Sequence, residues 1–433
     1  MSEVRPRYKH TEVGVIPEDW EVSRLQDVCR VPISYGIVQC GAHFRDGIPY
    51  VRVSDMDKPE LDVEGMLRTS PAIAARFPRS TVHEGDLVYA LRGKLGEVRR
   101  VSSSVAGANL TQGTARLSPS DGILSVYLMW GMRSPRVVRQ AEIESKGTTF
   151  REITLADLRG ICLSVPPLPE QTAIAEALSD ADALIEFLEQ LLTKKRQIKQ
   201  GAMQELLTGK KRLPGFQSKP GYKQTEVGPI PEDWRLATLG EMCAFENGDR
   251  SSNYPAPNSF VASGIPFVNA GHVAEGRINL AEMNYISETA YARLGGGKVK
   301  PGDILFCLRG SLGKFGIVSA AFGDGAIASS LVIVRPRMTS LDRDYLSCYF
   351  GSDLCTRMIK NWSGGAAQPN LGAQDLARFL IPLATSKSEQ AAVASVLSDM
   401  DSELSALETK LVKARQLKQG MMQELLTGRI RLV

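Results

Sequence analysis

The stretch KQTEVGPIPEDW at residues 223–234 repeats, with ten of twelve positions identical, the stretch KHTEVGVIPEDW at residues 9–20. We call these two stretches the opening motifs. A second duplicated stretch, the closing segment, reads QGAMQELLTGKKRL at 200–213 and QGMMQELLTGRIRL at 419–432. A period of more than two hundred residues is too long for a solenoid or propeller unit. The chain is therefore predicted to be a duplication of a domain-sized block.

Two divergent bodies lie between the duplicated stretches, at about 10–165 and 222–384. Both contain short β-rich runs, such as GDLVYAL at 85–91 and GDILFCL at 302–308, separated by clusters of Gly, Pro, Asn and Asp. The stretches VYLMWGM and DYLSCYF are predicted to be helical. We therefore expect an α+β fold, repeated once along the chain.

Each body is followed by a long predicted helix, at 170–207 and at 389–426. A helix of this length would be about 57 Å long. Proline precedes the first helix, and glycine follows each in LLTG, as helix start and stop signals require. Apolar residues recur mostly at alternating spacings of four and three, which is typical of a coiled-coil seam. The predicted seam positions are Ile174, Leu178, Ala181, Ile185, Leu188, Leu192, Ile198, Ala202 and Leu206, and then Val393, Leu397, Met400, Leu404, Leu407, Leu411, Leu417, Met421 and Leu425.

Acidic residues precede basic ones in both helices. Residues 170–190 carry six acids and no base, and 191–213 carry seven bases and one acid. The second helix has five acids at 389–408 and then six bases and one acid at 410–431. Parallel packing would place like charges together, whereas antiparallel packing pairs opposite charges. Complementing the helix dipole is the alternative explanation, but it accounts only for the end turns. We therefore predict an antiparallel pair.

The composition is that of a globular protein, with 43% hydrophobic and 23% charged residues among 433. No apolar run is long enough to span a membrane, and the start MSEVRPRYKH lacks an apolar signal core, so a cytoplasmic location is expected. The net charge of +4 says little about nucleic acid. Seven scattered cysteines without a CxxC pair, and only four histidines, suggest neither disulfides nor a metal site.

Enzyme motifs are absent from the sequence: there is no phosphate-binding P-loop, no GxGxxG, no HExxH and no GxSxG. Glu18 and Asp19 recur as Glu232 and Asp233 in the opening motifs, where turn and cap roles fit better than catalysis. Asp303 would suit a metal, but Asp86 holds the same place in the first body, so a turn role explains both. No catalytic residue and no metal ligand is predicted.

Glycine-rich basic loops are the strongest candidates for nucleic-acid contacts. LRGKLG at 91–96 and LRGSLGK at 308–314 present cations on backbone that can approach a phosphate or a base edge closely. KGTTFRE at 146–152 and GGAAQPN at 364–370 occupy equivalent places. Arg and Lys can bind guanine, and Asn and Gln can bind adenine. Tight surface turns are the alternative reading. The candidate residues are Arg52, Arg92, Lys94, Asn109, Gln112, Lys146, Thr148, Thr149, Arg151, Asn269, His272, Arg309, Ser311, Lys314, Gln368 and Asn370.

The duplicated EVGxIPEDW and QELLTG motifs, together with the two divergent bodies, resemble the specificity subunit of type I restriction-modification systems. The resemblance spans essentially the whole chain. It implies two target recognition domains, arranged with pseudo-twofold symmetry on spacer helices. The first body departs from the family-like GG..QPN loop, which the second keeps. The expected segments are a first recognition domain at 1–165, a spacer helix at 166–213, a second recognition domain at 214–385 and a second spacer helix at 386–433.

The resemblance further implies a non-catalytic chain that reads a bipartite sequence in double-stranded DNA. Its expected partners are two modification subunits, which methylate adenine, and motor-nuclease restriction subunits. S-adenosylmethionine, ATP and magnesium are expected in those partners and no cofactor in this chain. Unlike bodies predict an asymmetric target, with half-sites about one helical turn apart. Near-identical connectors predict two equivalent docking faces.

Two other functions remain open from the sequence. A structural adaptor would organise protein subunits with only non-specific DNA contact; the modest net charge favours it and the basic loops in both bodies disfavour it. An enzyme fused to its own recognition domains would need a catalytic motif.

Overall fold

The computed structural model divides into two compact units, which are described separately. The first unit combines residues 1–189 with 409–433, and the second comprises 190–408. Each unit contains one body and part of each long helix. The sequence predicted four consecutive domains instead. The structure differs from that prediction because both helices contribute to the hydrophobic cores of both units. The residues that the structure describes are 8–145, 151–216, 220–256, 259–363 and 370–433.

The body of the first unit is built on a four-stranded antiparallel sheet, in the order β4-β10-β7-β8, and a three-stranded sheet, β6-β5-β9, in which β5 and β9 are parallel. The strands are β1 (Tyr8–Thr11), β2 (Gly14–Pro17), β3 (Glu21–Arg24), β4 (Ser34–Tyr35), β5 (Ile48–Val51), β6 (Arg68–Thr69), β7 (Leu87–Ala90), β8 (Val98–Arg100), β9 (Asn109–Leu110), β10 (Thr114–Leu117) and β11 (Cys162–Val165). The helices are α1 (Pro71–Ala74), α2 (Ser125–Met132), α3 (Pro135–Glu144), α4 (Leu155–Gly160) and α5 (Leu168–Leu207), with 3-10 turns at Val53–Asp57, Val63–Gly65 and Pro78–Ser80.

The second unit repeats this topology, with sheets in the orders β15-β23-β20-β21 and β19-β16-β22. The strands are β12 (Tyr222–Lys223), β13 (Ile230–Pro231), β14 (Arg235–Thr238), β15 (Cys243–Asn247), β16 (Ile265–Val268), β17 (Val273–Ala274), β18 (Arg277–Ile278), β19 (Asn284–Ile286), β20 (Ile304–Cys307), β21 (Phe315–Ile317), β22 (Ala326–Ile327), β23 (Leu331–Pro336) and β24 (Leu380–Leu383). The helices are α6 (Leu239–Met242), α7 (Glu288–Arg293), α8 (Arg343–Phe350), α9 (Asp353–Ser363), α10 (Ala373–Ala377) and α11 (Lys387–Leu425), with 3-10 turns at Ala270–His272 and Ala320–Phe322. The predicted α+β duplication is confirmed.

The predicted runs GDLVYAL and GDILFCL form the central strands β7 and β20, and every residue of both strands is buried. Successive side chains of a strand point to opposite faces. Leu87 and Tyr89 therefore enter one hydrophobic cluster, while Val88 and Ala90 enter another. Both faces of β7 are covered, which explains why the run is continuously apolar instead of alternating. The residues of β20 divide in the same way.

The opening motif of the first unit packs against the closing segment that ends α11. Gly428 has a positive φ of 68°, and a Cβ added there would lie 2.4 Å from Cδ of Pro17. Beside it, Arg431 binds Asp19 at 2.8 Å and Glu170 at 2.5 Å. The same Glu170 accepts a hydrogen bond from the indole of the first tryptophan, Trp20, at 2.8 Å, so three elements meet at one carboxylate.

The second unit builds an equivalent junction from the other two copies. A Cβ on Gly209, which also has a positive φ, would lie 2.6 Å from the ring of Pro231. Arg212 binds Asp233 at 2.8 Å and Glu389 at 2.5 Å. The sequence suggested that the repeated stretches are alike because they meet a repeated partner. Their near-identity already follows from their contacts with each other inside each unit.

The two long helices run antiparallel within each unit, as their charges predicted. In the first unit Arg415 reaches Glu189 at 2.5 Å, and Lys418 pairs with Asp182. In the second unit Lys195 reaches Glu403 at 2.6 Å, Arg196 reaches Glu408 at 2.6 Å, and Lys199 pairs with Asp401. From Lys418–Asp182 to Arg415–Glu189 in the first unit, and from Arg196–Glu408 to Lys199–Asp401 in the second, the residue number on one helix rises as that on the other falls, which only an antiparallel pair allows.

Two predicted seam residues, Ile198 and Leu417, lie outside the seam and are exposed at 47% and 62%. The reason is the spacing. Ile198 follows the buried Leu192 by six residues, so the alternation of three and four reaches Lys195 and Lys199 instead. Those lysines carry their apolar stems along the seam and place their ammonium groups against acids of the other helix.

The antiparallel register predicts which introduced cysteines form a disulfide. Leu178 is fully buried in a cluster with Leu425, against which Met421 packs. Cysteines introduced at 178 and 421 should therefore crosslink in high yield under mild oxidation, scored by a shift on a non-reducing gel. The pair 178 and 397 is the control and should not crosslink. High yield from the control pair would show that the helices are parallel.

Candidate nucleic-acid interface

The loop between β7 and β8 meets two other surface segments in the first unit. The amide of Leu91 donates a hydrogen bond to the carbonyl of Gly113 at 2.9 Å, and the amide of Ile153 donates to the carbonyl of Leu91 at 2.9 Å. The amide of Gly93 donates to the carbonyl of Arg151 at 3.0 Å. These backbone bonds hold the three segments together as one surface. We call it the first loop cluster, residues 91–97, 111–113 and 151–153.

The second unit contains the same arrangement between β20 and β21. The amide of Leu308 donates to the carbonyl of Ser330 at 2.9 Å, and the amide of Leu371 donates to the carbonyl of Leu308 at 3.1 Å. A side-chain bond is added here, because Nε of Arg309 donates to Oδ1 of Asn370 at 2.7 Å. Two predicted site residues from distant parts of the chain are thus brought into contact. This is the second loop cluster, residues 308–314, 328–330 and 370–371.

The repeated glycines of these loops have a structural cause. Gly93, Gly96, Gly310 and Gly313 all have positive φ, between 75° and 86°. A Cβ on Gly96 would lie 2.6 Å from a side-chain carbon of α3, and one on Gly313 would lie 2.8 Å from a side-chain carbon of α9. The turn and its packing require glycine. The repeated glycines are therefore no evidence for DNA contact. The prediction that these loops contact DNA depends on their polar side chains alone.

Strands β5 and β16 end at the same kind of cap, although the residues differ. The amide of Arg52 donates to Oδ2 of Asp55 at 2.8 Å, and its guanidinium binds the same carboxylate. The hydrogen bond between the side chains of Arg52 and Asp55 raises the pKa of Arg52. In the second body the amide of Asn269 donates to Nδ1 of His272 at 3.1 Å. One loop geometry therefore presents arginine in one body and asparagine in the other.

Two predicted contact residues are buried. Asn109 is 1% exposed, and its amide oxygen accepts hydrogen bonds from the hydroxyls of Ser80 at 3.0 Å and Thr81 at 3.4 Å. His272 is 8% exposed; its Nδ1 accepts the cap hydrogen bond, and its Nε2 lies 3.3 Å from the carbonyl of Glu282. Burial argues against the predicted DNA contacts of both side chains, because the amide oxygen of Asn109 and both ring nitrogens of His272 already contact groups of their own bodies.

Two cations of the first unit are engaged by exposed acids. Lys94 pairs with Asp57, and Arg151 lies 3.5 Å from Glu142. All four side chains are about half exposed, and ion pairs of this kind contribute little to stability. Either cation can therefore exchange its acid for a phosphate at small cost.

The remaining predicted residues differ in exposure. The exposed side chains are Gln112, Lys314, Arg309 and Asn370, and the last two are bound to each other. Half-buried ones are Arg92, Asn269 and Ser311. Outside the described residues lie Lys146, Thr148, Thr149 and Gln368.

One cation at the second loop cluster was missed in the sequence. The exposed Arg250 lies 3.4 Å from the carbonyl of Ser329. It follows β15, which pairs antiparallel with β23, so the residues after β15 must lie beside those before β23. Only the strand pairing reveals this neighbourhood. The pairing could not be predicted from the spacing of Arg250 and Ser329 in the sequence.

The two aspartates of the central strands have the predicted turn roles. Asp86 accepts a hydrogen bond from the amide of His83 at 2.9 Å, and Asp303 accepts one from the amide of Lys300 at 2.8 Å. Asp303 is further bound by Arg335 at 2.8 Å. Among the residues described, no group of three or more His, Cys, Asp or Glu side chains is placed to hold a metal.

The cysteines are free thiols, and four of the seven are buried. Burial raises the pKa of Cys243 and Cys355 to about 12 and that of Cys307 to about 11. These groups therefore remain protonated at neutral pH, as expected for structural thiols. Within the described part of the chain, no helix is both long enough and apolar enough to cross a membrane.

Two homologous bodies that share one loop scaffold, each joined to parts of two antiparallel helices, define a tandem recognition protein. The model of the type I restriction modification DNA specificity domain matches the chain twice, at residues 17–198 and 231–414. The chain belongs to this family, and its function is sequence-specific DNA recognition in type I restriction-modification. The predicted resemblance is confirmed.

Several known relatives match nearly the whole chain, and another matches 40% of it. The putative type I restriction enzyme MjaX specificity subunit of Methanocaldococcus jannaschii is 24% identical over 431 residues, 98% of this chain and 96% of its own. The EcoBI specificity subunit of Escherichia coli is 28% identical over 178 residues, 40% of this chain and 37% of its own. A solved type I restriction-modification S subunit from M. genitalium, 17% identical, has a TM-score of 0.56 over 97% of this chain and 98% of its own. A chain from a study of complex assembly and conformational transition of the type I R-M system, 18% identical, has a TM-score of 0.58 over 96% of this chain and 99% of its own.

The second loop cluster allows base readout to be separated from phosphate contact. If Arg309 reads a guanine, Arg309→Ala should cost about 1–3 kcal/mol of binding and relax specificity at one position. Lys314→Ala should instead weaken all sequences alike and reduce the salt dependence. Both effects are measured by DNA titrations at several salt concentrations with matched and single-substituted duplexes. Parent-like affinities and salt slopes in both variants would show that this loop is only a turn.

Proposed function

We propose that each body reads one half of an asymmetric, bipartite DNA site through its loop cluster. The observation that carries this proposal is the recurrence of one loop scaffold with different side chains. Lys94 of the first cluster corresponds to Ser311 of the second, and Gln112 corresponds to Ser329. The shared backbone bonds present each segment alike, while hydrogen-bonding groups at base edges select the sequence. Unlike side chains on like scaffolds therefore select unlike half-sites.

The long helices set the gap between the half-sites in this proposal. They comprise 40 and 39 residues, which corresponds to about 60 Å each at the rise of an α-helix. Interhelical ion pairs and a buried seam stiffen each stretch. A stiff connector holds two reading surfaces at one separation and therefore at a fixed number of base pairs.

The proposed partners are double-stranded DNA, two modification subunits that dock on the helices, and motor-nuclease restriction subunits. The chain itself is proposed to be non-catalytic and cytoplasmic. S-adenosylmethionine, ATP and magnesium would act in the partner subunits. The duplicated helices support a stoichiometry of two modification subunits, because equivalent surfaces bind equivalent partners.

Selection from random duplexes tests DNA reading and separates it from the structural adaptor. The full chain, co-purified with its modification subunits, should enrich one bipartite sequence and prefer it over random DNA by at least about a thousandfold. Arg309→Ala should relax the base preference at one position of one half-site and leave the other half-site unchanged. Enrichment of no sequence, with equal affinity for selected and random DNA, would favour the adaptor and overturn the proposal.

Catalysis is tested on the chain alone. Incubation with duplex DNA, magnesium and S-adenosylmethionine should leave the DNA uncut and unmethylated, while addition of modification subunits should restore methylation. The comparison is made on the duplex enriched above. Methyl transfer or cleavage by the chain without partners would contradict a non-catalytic role.

A further inference from the structure

A cavity of about 400 Å³ lies inside the first unit, where the body meets the closing segment at 419–432. Ligand pockets have volumes of roughly 300–1,000 Å³. The opening motif, helices α2 and α3, strand β11 and the closing segment form its walls. Apolar lining side chains include Val13, Leu128, Leu163, Met422 and Leu426. Protein interiors are close-packed and an empty apolar cavity lowers stability, so a space of this size calls for an occupant.

Helices α2 and α8 are equivalent elements of the two units. The hydroxyl of Tyr127 in α2 donates to the carbonyl of Ser164 at 2.7 Å, and that of Tyr345 in α8 donates to the carbonyl of Pro382 at 2.9 Å. Counted from these tyrosines, the first unit has a glycine and an arginine where the second has a tyrosine and a leucine. Two lining positions of the cavity therefore differ between the units: Gly131 corresponds to Tyr349, and Arg136 corresponds to Leu354.

Gly131 leaves space in the cavity because it has no side chain. Its φ is not positive, and a Cβ added there would meet only a side-chain carbon of Leu163 at 3.8 Å, which is an ordinary contact. Glycine is also less favourable than alanine in a helix. In the second unit the ring of Tyr349 is fully buried, although its hydroxyl has no hydrogen-bond partner in the structure described. Neither backbone conformation nor packing therefore requires a glycine at 131.

Arg136 brings a positive charge to this mainly apolar cavity. Its guanidinium is half-buried and donates to the carbonyl of Cys162 at 2.9 Å. Within the described ranges no carboxylate lies at ion-pair distance from it, whereas the other cation of the lining, Arg429, lies 3.4 Å from Glu424. Burial lowers the pKa of Arg136, but an arginine stays charged at neutral pH. The buried hydroxyl of Ser134 lines the same cavity and can donate a second hydrogen bond.

We propose that this cavity binds a small apolar carboxylate, with its charged group on the guanidinium of Arg136 and its hydrocarbon part against the apolar walls. A guanidinium matches a carboxylate through parallel hydrogen bonds, and burial of the hydrocarbon adds to the affinity. One cation balances a monoanion, whereas a phosphate dianion would bring an uncompensated negative charge into the cavity. No residue of the first loop cluster lines the cavity, so the site is separate from the proposed DNA-reading surface.

Octanoate is the probe for this site, and octanol, which has a similar hydrocarbon chain without the charge, is the matched comparison. Calorimetric titration of the full chain, with octanoate well below its micellar concentration, should find one molecule bound per chain. Octanol should bind at least about tenfold more weakly, because it lacks the charge-assisted hydrogen bonds to the guanidinium. Failure of octanoate to bind, or equal affinities for the two probes, would overturn the inference.

Two substitutions test where the probe binds. Arg136→Leu, which introduces the side chain of the second unit, should weaken octanoate binding at least about tenfold and leave octanol binding unchanged. Gly131→Leu should fill the cavity and abolish binding of both probes without lowering the melting temperature, because the added Cβ meets only an ordinary contact.

The control is Gly201→Ala, a helix glycine of the second unit whose added Cβ would meet no atom within 4 Å; it should bind octanoate like the parent chain. Partial unfolding of Arg136→Leu would weaken both probes together, so the ratio of the two affinities isolates the role of the guanidinium. Parent-like octanoate binding by either Arg136→Leu or Gly131→Leu would show that the probe binds elsewhere and would refute the inference.

Discussion

Arg212→Ala is expected to lower the unfolding free energy of the second unit by about 3–5 kcal/mol. Arg212, Asp233 and Glu389 have side-chain exposures of only 7%, 7% and 2%. Removing the guanidinium leaves two buried carboxylates without their cation, which is the costly way to break a buried ion pair. The substitution also removes the guanidinium that lies 5.5 Å from the ring centre of Trp234.

The equivalent change in the first unit is the matched control. Arg431→Ala should cost clearly less, because Asp19 is 52% exposed and Glu170 keeps the hydrogen bond from Trp20. In the second unit the indole nitrogen of Trp234 has no hydrogen-bond partner in the structure described. Urea denaturation of the full chain and both variants, followed by tryptophan fluorescence, measures the difference. Equal losses, or a larger loss for Arg431→Ala, would refute this account of the junctions.

Replacement of residues 222–384 by the corresponding body of another family member should change one half of the recognised site completely and leave the other unchanged. The reason is that each loop cluster is built from segments of one body only. The donor body must bring the proline and tryptophan of its opening motif, because Gly209 packs on Pro231 and Trp234. The measurement is selection of duplexes by parent and hybrid complexes. Change in both halves, or in neither, would refute modular recognition.

The elements that depend on a local sequence pattern, or on a pattern present in both repeats, could be predicted from the sequence. The continuous apolar runs gave the central strands β7 and β20, and the order of charges gave antiparallel helices. Two seam positions, Ile198 and Leu417, were wrong because steps of six, from Leu192 and from Leu411, were counted as part of a three-four alternation.

Features that depend on pairing between distant segments were not predictable. Nothing in the repeat indicates that the first opening motif packs against the second closing segment, as the contact between Pro17 and Gly428 requires. Asn109 resembled a base-reading residue because its type is suited to adenine, but its burial depends on strand pairing with β5. Arg250 was missed because only the β15-β23 pairing brings it to the second loop cluster.

Methylation profiling of cellular DNA with and without this gene tests the central claim most directly. The account predicts methylated adenines within one asymmetric bipartite sequence, with two unlike halves at a constant gap, and their complete loss when the gene is deleted. Profiles that are unchanged by the deletion, or a lost pattern that is a single uninterrupted or symmetric site, would contradict it.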